Sequence, residues 1–350
     1  MKVGFNLYRH LLDETNFQFA RQCGATHVII HMVDYFSSRN GQTGQPVDDG
    51  RGWGPAGDPR RLWTVRELKA IVRRANDAGL EIYAVENFDP AHWHDILLDG
   101  PKKRGQMSRL KQLIRRVGEA GIPVVGYNFS LAGVCGRITG PFARGKALSV
   151  GMNGPFDTPM PKGMVWNMTY ADEAHGTEVR PCTADELWDR ARWFLDEILP
   201  VAEDAGVVLA AHPDDPPLPE LRGTPRLIYR PEHYRRLLEV NTSPSNQIDL
   251  CMGSIAEMPD SDVYETVDWL TRGGRVAYVH FRNVIGKVPY YREVFPDEGD
   301  IDFRRVFQIL RKNRFDGVIV PDHTPAMACS APWHAGMAFT VGYMKGLLGT

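Results

Sequence analysis

Cysteine is scarce in this chain: five in 350 residues, an odd number with no Cys-x-x-Cys pair. That argues against a disulfide framework and a structural zinc knuckle. Net charge is nearly absent as well, with 41 Lys and Arg against 43 Asp and Glu, so no global field draws the chain to a phosphate backbone. Lys102-Lys103-Arg104 reads as a solvated loop or helix start, and nucleic acid is not an expected partner. No apolar run approaches the roughly 20 residues that span a bilayer, and the apolar stretch near Met1 is too short for a secretory signal. A soluble cytoplasmic protein without membrane contact is expected. Catalytic signatures are missing too: no Gly-x-Ser-x-Gly elbow, no phosphate-binding Walker loop, no Gly-x-Gly-x-x-Gly after the first strand and no His-Glu-x-x-His. Serine hydrolysis, phosphoryl transfer and nicotinamide chemistry all lose support.

What is present is a repeated rhythm. Eight short β-branched and apolar runs read as strands, at residues 3–7, 27–32, 81–86, 123–129, 207–211, 247–251, 276–281 and 317–321. Amphipathic helical patterns fill the intervals, most clearly at 64–78, 106–120, 184–205, 260–272 and 303–313. Three of them end in Ala-Gly, at Gly79, Gly121 and Gly206, where glycine can adopt the left-handed conformation that stops a helix. Eight β/α units without a dinucleotide fingerprint favour an α/β fold of the (β/α)8 TIM-barrel type over an open, doubly wound sheet. The length fits one catalytic domain, with long Gly- and Pro-rich insertions at about 37–61, 130–183 and 213–230. All three follow strands on the presumed catalytic face and are expected to cover a small polar substrate.

Four side chains that bind metals well end the last four strands: His212, Cys251, His280 and Asp322. In a parallel barrel those strand ends converge, so the four are candidates for one shared ion. Two imidazoles, a thiolate and a carboxylate suit zinc by softness, whereas room for substrate oxygens suits Mn²⁺ or Fe²⁺. His323, beside Asp322, has an intrinsic pKa suited to a general acid or base. Glu86 and Asn128 end the third and fourth strands, where they could hold substrate hydroxyls or assist proton transfer. Arg282 and Asn283 offer a bidentate carboxylate donor and an amide. Asp214 and Asp215 read either as partners orienting His212 or as turn residues of a proline-rich loop.

These motifs taken together, Tyr127-Asn128-Phe129, His212-Pro213-Asp214-Asp215-Pro216-Pro217, Cys251-Met252-Gly253-Ser254, His280-Phe281-Arg282-Asn283, Gly299-Asp300-Ile301-Asp302 and Pro321-Asp322-His323, make the chain resemble the mannonate dehydratases, within the xylose-isomerase-like barrels. The resemblance implies loss of water from a sugar acid, D-mannonate, to give 2-keto-3-deoxy-D-gluconate. It also implies a divalent ion, Mn²⁺ or Fe²⁺ with Zn²⁺ and Co²⁺ as alternatives, held by His212, Cys251, His280 and Asp322, and a catalytic role for His323. A metal-dependent sugar isomerase or epimerase and a non-catalytic sugar-acid binding homologue are the competing readings. The family pattern continues from Asp-His into Gly-Arg and later into an Arg-Pro-Gly-Tyr-like stretch. Here Thr324-Pro325-Ala326 and Ser330-Ala331-Pro332-Trp333-His334 stand instead, and His334 is the expected substitute for the missing tyrosine. A homo-oligomer is a further expectation, from the habit of barrels to associate through their outer helices.

Overall fold

The computed structural model describes residues 1–36, 52–171 and 181–349. Eight parallel strands close into a barrel: β1 (Lys2–Leu7), β2 (His27–His31), β3 (Glu81–Glu86), β4 (Val124–Tyr127), β5 (Val208–Ala211), β6 (Asn246–Cys251), β7 (Val276–Phe281) and β8 (Val318–Pro321). Each pairs with the next in chain order, and β8 closes on β1. All eight lie within two residues of the ends expected from sequence. Nearly every residue in them is buried, as a parallel sheet covered by helices requires.

The expected helices are present at Val65–Asp77, Lys103–Glu119, Ala184–Asp204, Val263–Arg272 and Phe303–Lys312. Thr64 with Glu67 and Thr183 with Glu186 form reciprocal capping boxes at two of their amino ends, which satisfy otherwise orphaned backbone donors. Gly79, Gly121 and Gly206 have φ of 77°, 82° and 65°, the left-handed stop expected at Ala-Gly. Helices without a narrow apolar stripe escaped the sequence reading. Pro90–Leu98 is buried from Pro90 through Leu97, so its pattern carries no 3.6-residue alternation to detect.

Inside the barrel, small residues make room for one large one. Ala84, Ala210 and Tyr278 pack together in the interior, and a side chain at Gly126 would collide with the Tyr278 hydroxyl. The floor beneath the carboxyl-terminal mouth is therefore closed.

Residues 37–51 and 172–180, which belong to two of the expected insertions, lie outside the described residues. The rest of those insertions has structure. Gly54–Pro55, Met168–Thr169 and Met164–Val165 form a small sheet. Ile138–Ala143 and Ala147–Asn153 join a hairpin, Asn283–Lys287 and Tyr290–Val294, in a four-stranded antiparallel sheet. That hairpin follows β7 directly and was not anticipated. The insertion after β5 is pinned by Asp214, which accepts from the backbone N–H of Leu227 and Ile228 and pairs with Arg226 at 2.9 Å. Asp214 is thus a loop-fixing residue.

Candidate metal centre and active site

His212 follows β5, Cys251 ends β6, His280 lies near the end of β7 and Asp322 follows β8. The barrel brings one donor atom from each within 4.8 Å of the others. Neighbouring groups prepare each donor. The Nδ1–H of His212 can be given to the Pro213 carbonyl at 2.6 Å, which leaves Nε2 as the free lone pair. His280 can donate Nε2–H to Glu86 Oε2 at 3.3 Å. Its buried Nδ1 stands 3.7 Å from Asp322 Oδ1. Such outer partners fix the tautomer a metal-binding histidine needs. Cys251 caps the short helix Met252–Glu257, accepts from the Ser254 N–H at 3.5 Å and receives Arg282 Nη2 at 3.4 Å.

Electrostatics points the same way. Burial pushes the Cys251 thiol up, but Arg282, His212 and His280 outweigh it and hold the thiol well below its ordinary range. Burial likewise opposes ionisation of Asp322, yet His323, His280 and Arg282 keep this carboxyl far below the usual value. Both imidazoles are shifted upward against burial, His212 to about 10, chiefly by Asp249 and Cys251, and His280 by Asp249, Glu86 and Asp322. The surroundings thus favour positive charge among these groups. A divalent cation meets that demand, and the imidazole, thiolate and carboxylate set is a fitting donor chemistry. Asp249, whose carboxyl burial raises to about 7, lies one layer lower and with Glu86 and His280 makes a second group of potential ligands.

His212 and Asp322 face a narrow cavity of about 60 Å³ at the barrel mouth. His323 lines the same cavity. Its Nδ1 lies 3.1 Å from Glu293 Oε1 and its Nε2 3.1 Å from Asp322 Oδ1, so two carboxylates fix the ring's rotation. Glu293 is itself gripped by Arg282 at 2.6 Å and Arg137 at 3.4 Å. Burial pushes the Glu293 carboxyl up, but His323, Arg282 and Arg137 together keep it below the usual range. Tyr35, Trp53 and Trp166 form an aromatic wall with ring centroids 5.1 to 5.6 Å apart.

Several expected contacts are corrected. Arg282 was expected to hold a substrate carboxylate. It is instead buried among Asp215 at 2.8 Å, Glu293 at 2.6 Å, Glu257 at 3.1 Å and Asp322 at 3.6 Å, with Gly253 leaving room for its guanidinium. Asn283 spends its amide on the Pro296 and Ile301 carbonyls and accepts from Val284 and Ile301 N–H groups. It fastens the hairpin. His334 sits on the helix Pro332–Leu348, where Nε2–H can reach Asn16 Oδ1 at 3.0 Å and the ring packs on Phe19 and Trp333. It does not line the cavity and cannot replace a cavity tyrosine.

Asn128 does line the cavity, but donates to the His212 and Pro213 carbonyls and accepts from Trp166 Nε1. It positions the histidine loop and the aromatic wall. Glu86 also lines the cavity while orienting His280. Sequence reasoning missed Tyr8, His31, Arg137, Trp53 and Trp166 in the lining. Tyr8 and His31 stand at the ends of β1 and β2, where the rule used for the later strands would have found them. Burial, reinforced by Asp322 and Glu86, drives the Tyr8 phenol far above its ordinary value, so it stays a hydrogen-bond donor.

Strand ends converging on such a cluster place the chain among the (β/α)8 barrels that carry metal-binding side chains at the mouth. A D-mannonate dehydratase family model matches residues 1–136 and 173–349. Mannonate dehydratase from Streptococcus suis is 33% identical over 284 residues, covering 77% of this chain and 75% of the relative. The Bacillus subtilis enzyme is 30% identical over 290 residues, covering 77% and 78%. The crystal structure of mannonate dehydratase from Streptococcus suis serotype2 superposes with a TM-score of 0.77 at 25% identity, covering 99% of this chain and 93% of that one. A 3-keto-D-glucoside 4-epimerase from E. coli, at 14% identity and a TM-score of 0.59, shares the fold. The chain belongs to the D-mannonate dehydratase family, a family of hydro-lyases. Among the described residues no helix is long and apolar enough to cross a membrane.

Proposed function

We propose that this chain, as one catalytic domain, removes water from D-mannonate to give 2-keto-3-deoxy-D-gluconate, with Mn²⁺ or Fe²⁺ held by His212, Cys251, His280 and Asp322. The observation that carries this reading is the meeting of those four donors, each with its outer partner in place, beside a cavity that Tyr8, Glu86, Arg137 and His323 also line.

The reaction breaks the C2–H and C3–O bonds, releases water and leaves an enol that becomes the 2-keto acid by taking a proton at C3. A bound divalent ion supplies Lewis acidity toward substrate oxygens and stabilises the negative charge that develops next to the carboxylate. His323 is the proton-transfer group, since it lines the cavity and its ring is held by Glu293 and Asp322. Glu86 keeps the His280 ring in its working tautomer. Tyr8 offers a phenolic donor, and the wall of Tyr35, Trp53 and Trp166 shields the reacting groups from bulk water.

The test is mass-resolved turnover of D-mannonate by the full chain loaded in turn with Mn²⁺, Fe²⁺, Co²⁺ or Zn²⁺. Loss of one water, abolished by chelation, is the expected outcome. A product of unchanged mass would replace this reading with an isomerase or epimerase, and binding without turnover would replace it with a sugar-acid binding protein.

A further inference from the structure

His31 ends β2 and lines the cavity while only 5% exposed. Among the described residues neither of its ring nitrogens has a hydrogen-bond partner. The Glu86 carboxylate stands 3.9 Å from Nε2, beyond hydrogen-bond reach. Packing fixes the ring: Tyr8 stacks on it at 4.9 Å and Tyr35 meets it edge-on at 5.6 Å. Other polar groups of the wall are already engaged, Asn87 with the Tyr35 hydroxyl and Asn128 with His212, Pro213 and Trp166.

A buried imidazole with two idle nitrogens is costly unless something in the cavity completes it. A neutral imidazole offers one donor and one acceptor on diverging edges, and a polyol hydroxyl, itself donor and acceptor, can complete the nitrogen it reaches. In the barrel order β2 lies across the ring from β6, on the half that contributes none of the four potential metal ligands. We propose that His31 is a specificity-determining substrate contact, binding one hydroxyl of the acid's polyol chain beyond the reacting carbons and selecting its configuration. This rests on the sugar-acid reading above.

The experiment compares the metal-loaded full chain with His31→Phe and His31→Asn, using D-mannonate and its 4-deoxy and 5-deoxy analogues. His31→Phe keeps the ring packing and removes both polar atoms. It is expected to fold and hold metal as the parent does, and to raise KM roughly tenfold, the scale of one lost hydrogen bond to a buried group, with kcat little changed. In the parent, removing a contacted hydroxyl should raise KM, whereas in His31→Phe the same removal should cost nothing further. His31→Asn, which retains a donor and an acceptor, should recover part of the loss, and it carries the same comparison should the Phe variant not fold. An unchanged KM, a fall confined to kcat or metal content, or a deoxy penalty undiminished in the variants would overturn the assignment. The parent's binding of D-mannonate, followed by tryptophan fluorescence, separates the two readings. Binding without turnover defeats the dehydratase reading while His31 stands or falls on the variants' weaker binding, and absence of aldonate binding defeats both.

Discussion

Replacing His323 with asparagine is expected to lower kcat for D-mannonate by about 10²- to 10⁴-fold, the usual worth of a positioned general acid or base, while the protein keeps its metal. The four potential ligands do not include this ring, so the variant separates proton transfer from metal binding. Steady-state kinetics paired with elemental analysis checks it. Retained kcat would remove His323 from the chemistry, and lost metal would make its role structural. The ring's geometry depends on Glu293, which reaches it from the hairpin after β7 at 3.1 Å.

The second large effect lies beneath the cavity. Arg282 is 1% exposed at its side chain and pairs with Asp215, Glu257 and Glu293 within 3.1 Å. Burial drives the Glu257 carboxyl well above its ordinary value, with Asp215 reinforcing it, so this member favours its neutral form, while Asp215 is pulled down against burial by Arg282 and Arg137. Arg282→Met therefore leaves the ionised Asp215 carboxylate buried without its main counter-charge, a change that costs about 3–5 kcal/mol. It also withdraws the guanidinium from the Cys251 sulfur. Urea denaturation is expected to show that loss together with weakened metal retention. Unchanged stability would mean the network carries little net energy. Lysine would be a poor replacement, because a point charge cannot serve several carboxylates through a planar fork.

How much of this was legible beforehand follows from the physics of each feature. Strands announce themselves by local β-branched runs, and a parallel barrel aligns their carboxyl ends, so His212, Cys251, His280 and Asp322 could be singled out from the chain alone. Tyr8 and His31 obey the same rule at the ends of β1 and β2. Arg282 and Asn283 looked like substrate donors because they follow His280. What occupies them comes from elsewhere: Asp215 from the loop after β5, Glu293 and the Pro296 carbonyl from the hairpin and its exit. Such pairings are set by tertiary contact and leave no local pattern. The hairpin itself was hidden because its second strand, Tyr290–Val294, pairs with the insertion strand Ala147–Asn153, more than a hundred residues earlier. His334 was placed by analogy with a missing tyrosine, and its helix turns it toward Asn16 and Phe19. The altered run after His323 is also accounted for in part, since Ala326 N–H bonds the Leu148 carbonyl at 2.8 Å and ties that segment to the insertion sheet.

The central claim is that one divalent ion sits among His212, Cys251, His280 and Asp322. Anomalous diffraction at the manganese edge, from crystals of the Mn²⁺-loaded chain, tests it most directly. The account predicts a single strong peak within bonding distance of those four donor atoms. A peak instead among Glu86, Asp249 and His280, the other group able to hold an ion, or no peak in the barrel of a protein that binds Mn²⁺ in solution, would contradict it.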